Sequence, residues 1–189
     1  LGQRLTALMI SKRIADSAIL LVREESGKTS PETLRLDTLV TGIAGELKDQ
    51  NLDVTVTGTQ TVSVRAGKLA LSRALRNLMI NAATHGRQAT VSVADADGAD
   101  GAVAQVIIED EGPGIPPELL YRVFEPFFRV DPGRRQNIAG AGLGLTIARE
   151  IVQRAGGDIK ISNRNGGGLK QVVELAKVEE QAAVKDAAE

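Results

Sequence analysis

The sequence predicts an α+β fold, a two-layer sandwich in which helices cover one face of a mixed β-sheet. Apolar residues recur at steps of three and four in the longer segments, which is the helical period, and alternate with polar residues in the shorter ones, which is the strand period. These segments follow one another as helix, two strands, helix, two strands, loop, helix and two strands. A chain of 189 residues, 42% of them hydrophobic, is long enough to bury one core and to add a small appendage.

Residues 1–26 predict a helix with two apolar rows. One row alternates steps of four and three, the period of a coiled coil, and is broken only by a lysine: Leu1, Leu5, Leu8, Lys12, Ala15, Ile19 and Val22. The other row consists of Ile10, Ile14, Ala18 and Leu21. A helix this apolar needs a partner, either the domain that follows it or, as we prefer, a dimerising helical bundle. The break from Gly27 to Pro31 predicts a boundary between a segment at residues 1–30 and a domain at residues 31–178.

Three longer helices are predicted in this domain. The first covers Leu36 to Gln50, the second contains Ser72 to His85 and stops at Gly86, and the third covers Leu143 to Ala155. One further short helix is expected within residues 118–128. The tail at residues 179–189 is charged and rich in alanine, so we expect it to be disordered.

The strands of the domain are predicted in pairs. They are expected at residues 53–58 and 61–66, 89–95 and 103–110, and 158–164 and 169–176. The second pair is joined by Asp-Gly-Ala-Asp-Gly, which is typical of a turn, and the last pair forms a hairpin around Asn165 to Gly168.

Composition excludes several classes of protein. The formal charge is −1, so no strong field attracts nucleic acid or an anionic membrane. Cysteine is absent and there is one histidine, which excludes disulfides and histidine-rich metal sites. No apolar run approaches the roughly 20 residues that cross a bilayer. We therefore expect a soluble chain without membrane contact of its own, while a membrane segment elsewhere in a longer parent stays open.

Two asparagines lie about one turn apart in the second predicted helix. Asn77 and Asn81 project from one side of it, beside the apolar stripe, and Thr84 and His85 extend this polar side by another turn. Carboxamide oxygens suit a hard cation such as Mg²⁺, and the NH₂ groups suit phosphate oxygens. Because two solvated asparagines give the same pattern, the pair alone does not establish a site.

An acidic, glycine-containing turn, Asp-Glu-Gly-Pro-Gly-Ile at residues 110–115, directly follows an apolar strand. Asp110 at the end of a buried strand is suited to accept a hydrogen bond from an exocyclic amine. Gly112 and Gly114 let the backbone approach a flat ring closely. An ordinary tight turn would also explain this stretch.

A glycine-rich stretch, GAGLGL at residues 140–145, leads into the third helix. Its backbone N–H groups and the positive end of the helix suit phosphate groups. The stretch matches neither the dinucleotide fingerprint, since no strand directly precedes it, nor a P-loop, since no Lys-Ser/Thr follows its last glycine.

All three phenylalanines of the chain precede this stretch, beside a loop of Pro, Gly and Arg residues. They are Phe124, Phe127 and Phe128. Such a loop is suited to close over a ligand, with the phenylalanines at its root and arginines that either reach phosphates or remain solvated. The arginines in question are Arg129, Arg134 and Arg135.

The order of these motifs resembles the ATP-binding catalytic domain of bacterial sensor histidine kinases, particularly those of the osmosensor type. NLMINA, DEGPGI, FEPFF and GAGLGL are similar to the N, G1, F and G2 boxes of that family, and the resemblance covers roughly residues 36–177. It implies the Bergerat-type ATP-binding fold and the cofactors ATP and Mg²⁺. Related ATP hydrolases of the gyrase, Hsp90 and mismatch-repair type carry a glutamate where this chain has Asn77, so the resemblance favours phosphoryl transfer over hydrolysis.

The resemblance also implies roles for the matching residues. Asp110 is expected to bind the adenine amino group, with Gly112, Gly114 and Ile115 around the base. Asn77 and Asn81 are the expected catalytic residues, which hold Mg²⁺ and phosphate oxygens. Thr84 and His85 occupy positions where the family often has a basic and an aromatic residue, which places one phosphate contact in doubt. The remaining nucleotide contacts are expected from Phe128, Arg129, Arg135, Gly140, Gly142, Leu143 and Gly144.

The implied function is that of a protein histidine kinase in two-component signalling. In the full-length protein, the γ-phosphate passes to a histidine of the dimerisation domain and then to an aspartate of a response regulator. Residues 1–26 resemble the second helix of that domain but contain no histidine, so the chain alone is not expected to phosphorylate itself. The expected partners are the nucleotide, the histidine domain, the response regulator and a second copy, with no nucleic acid. Two alternatives stay open: a serine/threonine kinase of the anti-sigma-factor type and a pseudokinase that serves as a nucleotide-binding docking module.

Overall fold

The computed structural model describes residues 30–98, 101–130 and 142–179. The predicted N-terminal helix at residues 1–26 and the tail from residue 180 lie outside the described residues. Seven strands are described, namely β1 (Glu32–Arg35), β2 (Val54–Thr59), β3 (Ser63–Ala66), β4 (Ala89–Gly98), β5 (Gly101–Asp110), β6 (Asp158–Asn163) and β7 (Leu169–Val178). The helices in these ranges are α1 (Leu36–Asp49), α2 (Lys68–Gly86), α3 (Gly144–Arg154) and a 3₁₀ helix at Pro117–Arg122.

The strands form one mixed sheet in the order β1-β3-β7-β5-β4-β2, and β6 pairs with β7. β2 and β4 are parallel, whereas the other pairs are antiparallel. Two strands, β6 and β3, pair with different parts of β7: β6 pairs with Leu169 to Glu174, and β3 pairs with Lys177 and Val178. The predicted α+β sandwich is confirmed.

The helices cover the sheet with their apolar sides. The fully buried side chains of α1 include Leu36, Val40 and Leu47, and those of α2 include Leu71, Leu75, Leu78 and Met79. In β5 burial alternates, so that Ala104, Val106, Ile108 and Asp110 all point into the core. The carboxylate of Asp110 therefore occupies an inward-facing position, in line with apolar side chains, at the end of a central strand. Within the described ranges no helix combines the length and hydropathy needed to cross a bilayer.

Three local features differ from the sequence prediction. β1 was not predicted, since only Leu34 of its four residues is buried and no alternation is visible. The short helix expected within residues 118–128 is a 3₁₀ helix that begins one residue earlier. α2 ends at Gly86 as expected, but the left-handed residue after it is Arg87, at φ 69°.

Candidate functional site

Asp110 is the most buried charged residue of the site, with 2% of its surface exposed. Its Oδ1 accepts hydrogen bonds from the backbone N–H groups of Gly112 (2.9 Å) and Leu169 (3.1 Å). Its Oδ2 accepts none from the residues that the structure describes, and it is not sealed from solvent. One carboxylate oxygen is thus fixed by the protein, and the other is available to a donor from outside.

The turn after Asp110 is held by an asparagine of β6. Asn163 accepts a hydrogen bond from the N–H of Ile115 (2.8 Å) and donates one to its carbonyl (2.7 Å). Gly114 has a φ of +73°, and a Cβ there would lie 2.7 Å from Asn163 Oδ1. Only glycine fits this conformation and this approach, so the turn carries a glycine for a physical reason.

The hairpin between β6 and β7 packs directly behind Asp110. Arg164 donates a hydrogen bond to the Asp110 carbonyl (2.7 Å) and lies 3.5 Å from Glu109. At Gly168 a Cβ would lie 1.8 Å from the same carbonyl oxygen. The backbone of the hairpin therefore fixes the end of β5 as well as the carboxylate.

The polar side of α2 extends from the start of α3 to Asp110. Asn77 donates a hydrogen bond to the carbonyl of Gly144 (3.4 Å), and both Asn77 and Asn81 are half-buried. Neither carboxamide oxygen accepts a hydrogen bond from the described part of the chain. At the other end, the backbone of Gly86 touches Asp110. From Asn77 to Gly86 the helix rises about 13 Å, so this side suits an elongated ligand.

Thr84 and His85 lie near the end of this helix. Thr84 is half-buried and His85 is exposed. The carbonyl of His85 would lie 3.0 Å from a Cβ on Gly112, so backbone as well as side chains brings α2 against the turn.

The start of α3 is open to an anion. Leu143 occupies the N-cap position without a side-chain hydrogen bond, and the first turn carries no acidic residue. The N–H groups of the first turn, which have no side-chain cap among the described residues, and the positive end of the helix therefore face a region that Asn77 borders. Gly142, Leu143 and Gly144 are all described there, whereas Arg134, Arg135 and Gly140 lie outside the described residues.

The chain on either side of residues 131–141 is tied together. Phe127 donates its N–H to the carbonyl of Gly142 (2.9 Å), and the Thr146 hydroxyl donates to the Phe124 carbonyl (2.9 Å). Gly142 has a φ of +70°, and a Cβ there would lie 2.9 Å from Phe127 Cα. Phe127 itself has a φ of 62°, which is strained for a bulky side chain. The described residues on either side of this gap are thus in direct contact through Phe127 and Gly142.

Two arginines that the sequence motifs do not single out stack on phenylalanine rings. Arg122 lies 4.6 Å from the centre of the Phe128 ring, and Arg149 lies 4.7 Å from that of Phe124. Hydrogen bonds to Glu125 raise the pKa of Arg122. Arg129, which was expected to reach phosphate, is exposed and has no hydrogen bond or ion pair with any described residue.

A protein-family model matches the part of the chain that contains this site. Residues 66–179 match the family described as histidine kinase-, DNA gyrase B- and HSP90-like ATPase. The chain belongs to this family. Membership supports ATP as the ligand of the domain and a place in two-component signalling, and it confirms the resemblance to sensor histidine kinases.

Individual relatives of this ATPase domain are sensor kinases. The sensor histidine kinase GtrS of Pseudomonas aeruginosa is 34% identical over 166 residues, which are 87% of this chain and 33% of that protein. The solved mycobacterial sensor histidine kinase MprB is 25% identical with a TM-score of 0.65, over 78% of this chain and 97% of that one. The histidine kinase domain of the Escherichia coli osmosensor EnvZ is 27% identical with a TM-score of 0.60, over 86% and 98%. The chain spans about a third of the length of the first curated relatives it matches.

Sequence reasoning missed the residues at the end of β6 and in the β6–β7 turn that position Asp110 and Ile115. Asn163, Arg164 and Gly168 reach Asp110 and Ile115 only because β7 pairs with β5 and β6 pairs with β7. One signal was present in the sequence, namely the three consecutive glycines Gly166, Gly167 and Gly168. All three have positive φ in the structure, and at Gly168 the close contact with the Asp110 carbonyl leaves no room for a Cβ.

Proposed function

We propose that this chain binds ATP·Mg²⁺ and that, in the full-length protein, it transfers the γ-phosphate to a histidine of the dimerisation domain for relay to a response regulator aspartate. The observation that carries the proposal is the burial and hydrogen bonding of the Asp110 carboxylate. A buried carboxylate with one oxygen bound to backbone N–H groups and the other available suits one exocyclic amine. Adenine offers such an amine, whereas guanine carries a carbonyl oxygen at the same place on the ring.

At the base end, Asp110 Oδ2 accepts a hydrogen bond from the adenine amino group. Gly112 and Gly114 keep the backbone close enough for the ring to lie against it, and Ile115 borders the ring. The pair of hydrogen bonds from Asn163 holds this turn in place before the nucleotide binds. Such preorganisation reduces the entropy lost on binding.

At the phosphate end, Asn77 and Asn81 hold Mg²⁺ and phosphate oxygens. Their carboxamide oxygens suit a hard cation, and no described residue competes for them. The open N–H groups at Gly142, Leu143 and Gly144 hold phosphate oxygens. Thr84, His85, Phe128, Arg129, Arg135 and Gly140 complete the proposed set of nucleotide contacts.

In the transfer step, a ring nitrogen of the acceptor histidine forms a bond to the γ-phosphorus. The bond from that phosphorus to the oxygen that bridges it to the β-phosphate breaks, and ADP leaves. The protein positions the phosphates and balances their charge. Because Asn77 is an amide and not a carboxylate, it cannot take a proton from water, which disfavours hydrolysis.

The domain organisation, oligomeric state and location of the parent protein are proposed by similarity to the sensor kinases named above. We assign residues 1–30 to the dimerisation bundle and its linker, residues 31–178 to the catalytic domain, and a homodimer to the first of these. The parent is proposed to act on the cytoplasmic side, with an anchor in the inner membrane. A serine/threonine kinase of the anti-sigma-factor type or a pseudokinase is not favoured, because the relatives above are named sensor histidine kinases.

Phosphotransfer is tested with γ-labelled ATP and Mg²⁺. The chain alone is expected to stay unlabelled, and the histidine-bearing dimerisation domain of the parent, added in trans, is expected to acquire acid-labile label. Asn81→Ala should abolish this labelling. Acid-labile label on His85, or acid-stable label on serine or threonine of the added domain, would contradict the proposal.

A further inference from the structure

A glutamine lies among apolar side chains in the core between β7 and α2. Gln171 has none of its surface exposed. The other inward-facing residues of β7 are Leu169, Val173 and Leu175. Its neighbours on the adjacent strands are Ile108 of β5 and Ile161 of β6. A fully buried glutamine is uncommon, because the transfer of an amide from water is unfavourable unless its polar atoms are paired.

The amide of Gln171 is only partly paired within the described part of the chain. Its Nε2 donates a hydrogen bond of 3.5 Å to the carbonyl of Leu78 in α2. Its Oε1 is buried and accepts no hydrogen bond from any residue that the structure describes. One long hydrogen bond and one unpaired oxygen destabilise the fold relative to an apolar side chain of the same shape. The stability of the core therefore does not account for this residue.

The hydrogen bond from Gln171 reaches α2 at the turn that carries the two asparagines. Leu78 follows Asn77 directly and precedes Asn81 by three residues. Both asparagine side chains are half-buried and lie on one side of the helix, next to the face that packs on the sheet. Any rotation or translation of this turn relative to the sheet therefore moves both carboxamides.

The strand that holds this turn also holds the base end of the site. The N–H of Leu169, two residues before Gln171 in β7, donates a hydrogen bond to Asp110 Oδ1 (3.1 Å). Two successive inward positions of one strand thus contact the carboxylate and the asparagine-bearing turn. We propose that Gln171 is a positioning residue, which fixes the magnesium end of the site relative to its base end. This role rests on the binding of Mg²⁺ by Asn77 and Asn81 that is proposed above.

The physical reason for such a residue is the geometric demand of magnesium. Burial of apolar surface is non-directional, so it does not by itself hold a helical turn to within the few tenths of an ångström that a metal site tolerates. A hydrogen bond adds direction, and apolar surroundings strengthen it. Mg²⁺ requires a near-ideal octahedron with bonds of about 2.0–2.1 Å, whereas Ca²⁺ accepts irregular geometry at about 2.3–2.6 Å. Loss of positioning therefore affects magnesium more than calcium.

The test removes the amide and keeps the shape of the side chain. Gln171→Met eliminates the donor and the unpaired oxygen, and the flexible thioether fills the same space. ATP affinity of the full chain is measured by calorimetry with Mg²⁺, with Ca²⁺ and with a chelator, and each metal's advantage is its affinity divided by that with the chelator. We expect the magnesium advantage to fall about three- to tenfold, at or below the lower end for groups that orient metal ligands. The calcium advantage should change by less than about twofold, and the denaturant midpoint of unfolding should stay the same or rise.

Two further variants separate position from other effects. Gln105→Met is the matched control, because Gln105 alternates with the inward residues of β5 and its amide bonds Glu174 (3.0 Å) on the other face of the sheet. Both metal advantages should be unchanged in it. Asn81→Ala removes a proposed ligand, so it should lower the magnesium and the calcium advantage together.

The outcomes distinguish this role from the proposed function itself. If the wild-type protein bound ATP equally with and without Mg²⁺, the proposed function would fail and the role of Gln171 with it. A normal magnesium advantage in the wild type that persists in Gln171→Met would overturn the role of Gln171 alone. Equal losses for both metals in this variant, or a lower midpoint of unfolding without a selective loss for magnesium, would show that the amide supports the fold and would likewise overturn it.

Discussion

The Cα of Gly86, the last residue of α2, packs against the side chain of Asp110, the last residue of β5. A Cβ at position 86 would lie 2.2 Å from Asp110 Cβ. The contact joins the helix that carries Asn77 and Asn81 to the carboxylate proposed to recognise the base. It therefore sets the distance between the two ends of the proposed nucleotide site.

Replacement of Gly86 by alanine should damage both the fold and nucleotide binding. The added methyl group forces Asp110 or the end of α2 to move, and overpacking of this kind costs about 1–3 kcal/mol. We expect a lower free energy of unfolding and weaker ATP binding, measured by denaturant titration and calorimetry. Gly45→Ala in α1 is the control: a Cβ there meets nothing within 4 Å, and alanine should stabilise the helix by about 0.5–1 kcal/mol. Unchanged ATP binding in Gly86→Ala would show that this contact does not set the site.

Replacement of Asn81 by alanine should remove the contribution of magnesium to ATP affinity. The wild-type protein is expected to bind ATP more tightly with Mg²⁺ than with a chelator, and the variant should lose at least about tenfold of that advantage. Calorimetry under both conditions gives the ratio. Ser72→Ala, on the same helix, removes a hydroxyl that bonds only the Lys68 carbonyl among described groups and should leave the ratio unchanged. An undiminished magnesium effect in Asn81→Ala would exclude this residue as a ligand.

Replacement of Asn163 by alanine should loosen the turn beside the base. It removes both hydrogen bonds to Ile115, each worth about 1 kcal/mol, and so should lower the free energy of unfolding by about 1–2 kcal/mol. ATP affinity should fall as well, because the turn must then be ordered during binding. Asn165→Ala, two residues further along in the exposed hairpin turn, serves as the control. If Asn163→Ala bound ATP as tightly as Asn165→Ala, the turn would not belong to the nucleotide site.

The start of α1 contributes a pH-dependent stability. Hydrogen bonds from Arg35 hold the pKa of Asp37 below its usual value, against the opposing effect of burial. A lowered pKa in the folded state stabilises the protein above the unfolded value of about 3.9, and this contribution is lost as the pH falls through the folded value. Asp37→Asn should therefore cost about 0.5 kcal/mol at pH 7, a modest value because the pair is partly solvated. Equal losses at pH 7 and below pH 3, in denaturant titrations, would contradict this assignment.

The sequence predicted the elements that depend on local pattern. Alternation along β5 placed Asp110 at the inward end of a buried strand, and the steps of three and four placed Asn77 and Asn81 on one side of α2. Both patterns agree with the structure, because burial of one face determines the conformation of each element. The short strand β1 escaped prediction since its stability comes from pairing with β3 and not from its own four residues.

What the sequence could not predict are contacts between distant segments. Asn163 and Ile115 are 48 residues apart, and their hydrogen bonds exist only because β6 pairs with β7, which in turn pairs with β5. The pairing of β2 with β4 and of β3 with β7, which sends two neighbouring strands to different places, depends on the whole sheet. Local periodicity carries no information about strand order, so these contacts required the structure.

The central claim is that Asp110 recognises adenine, and Asp110→Asn tests it most directly. The amide oxygen can still accept the hydrogen bonds from Gly112 and Leu169, which turns the NH₂ group toward the ligand and sets donor against donor. We expect ATP affinity, measured by calorimetry, to fall by about 2–3 kcal/mol, roughly 30–150-fold, with the preference for ATP over GTP lost and the fold retained. ATP binding and selectivity equal to those of the wild-type protein would contradict the account.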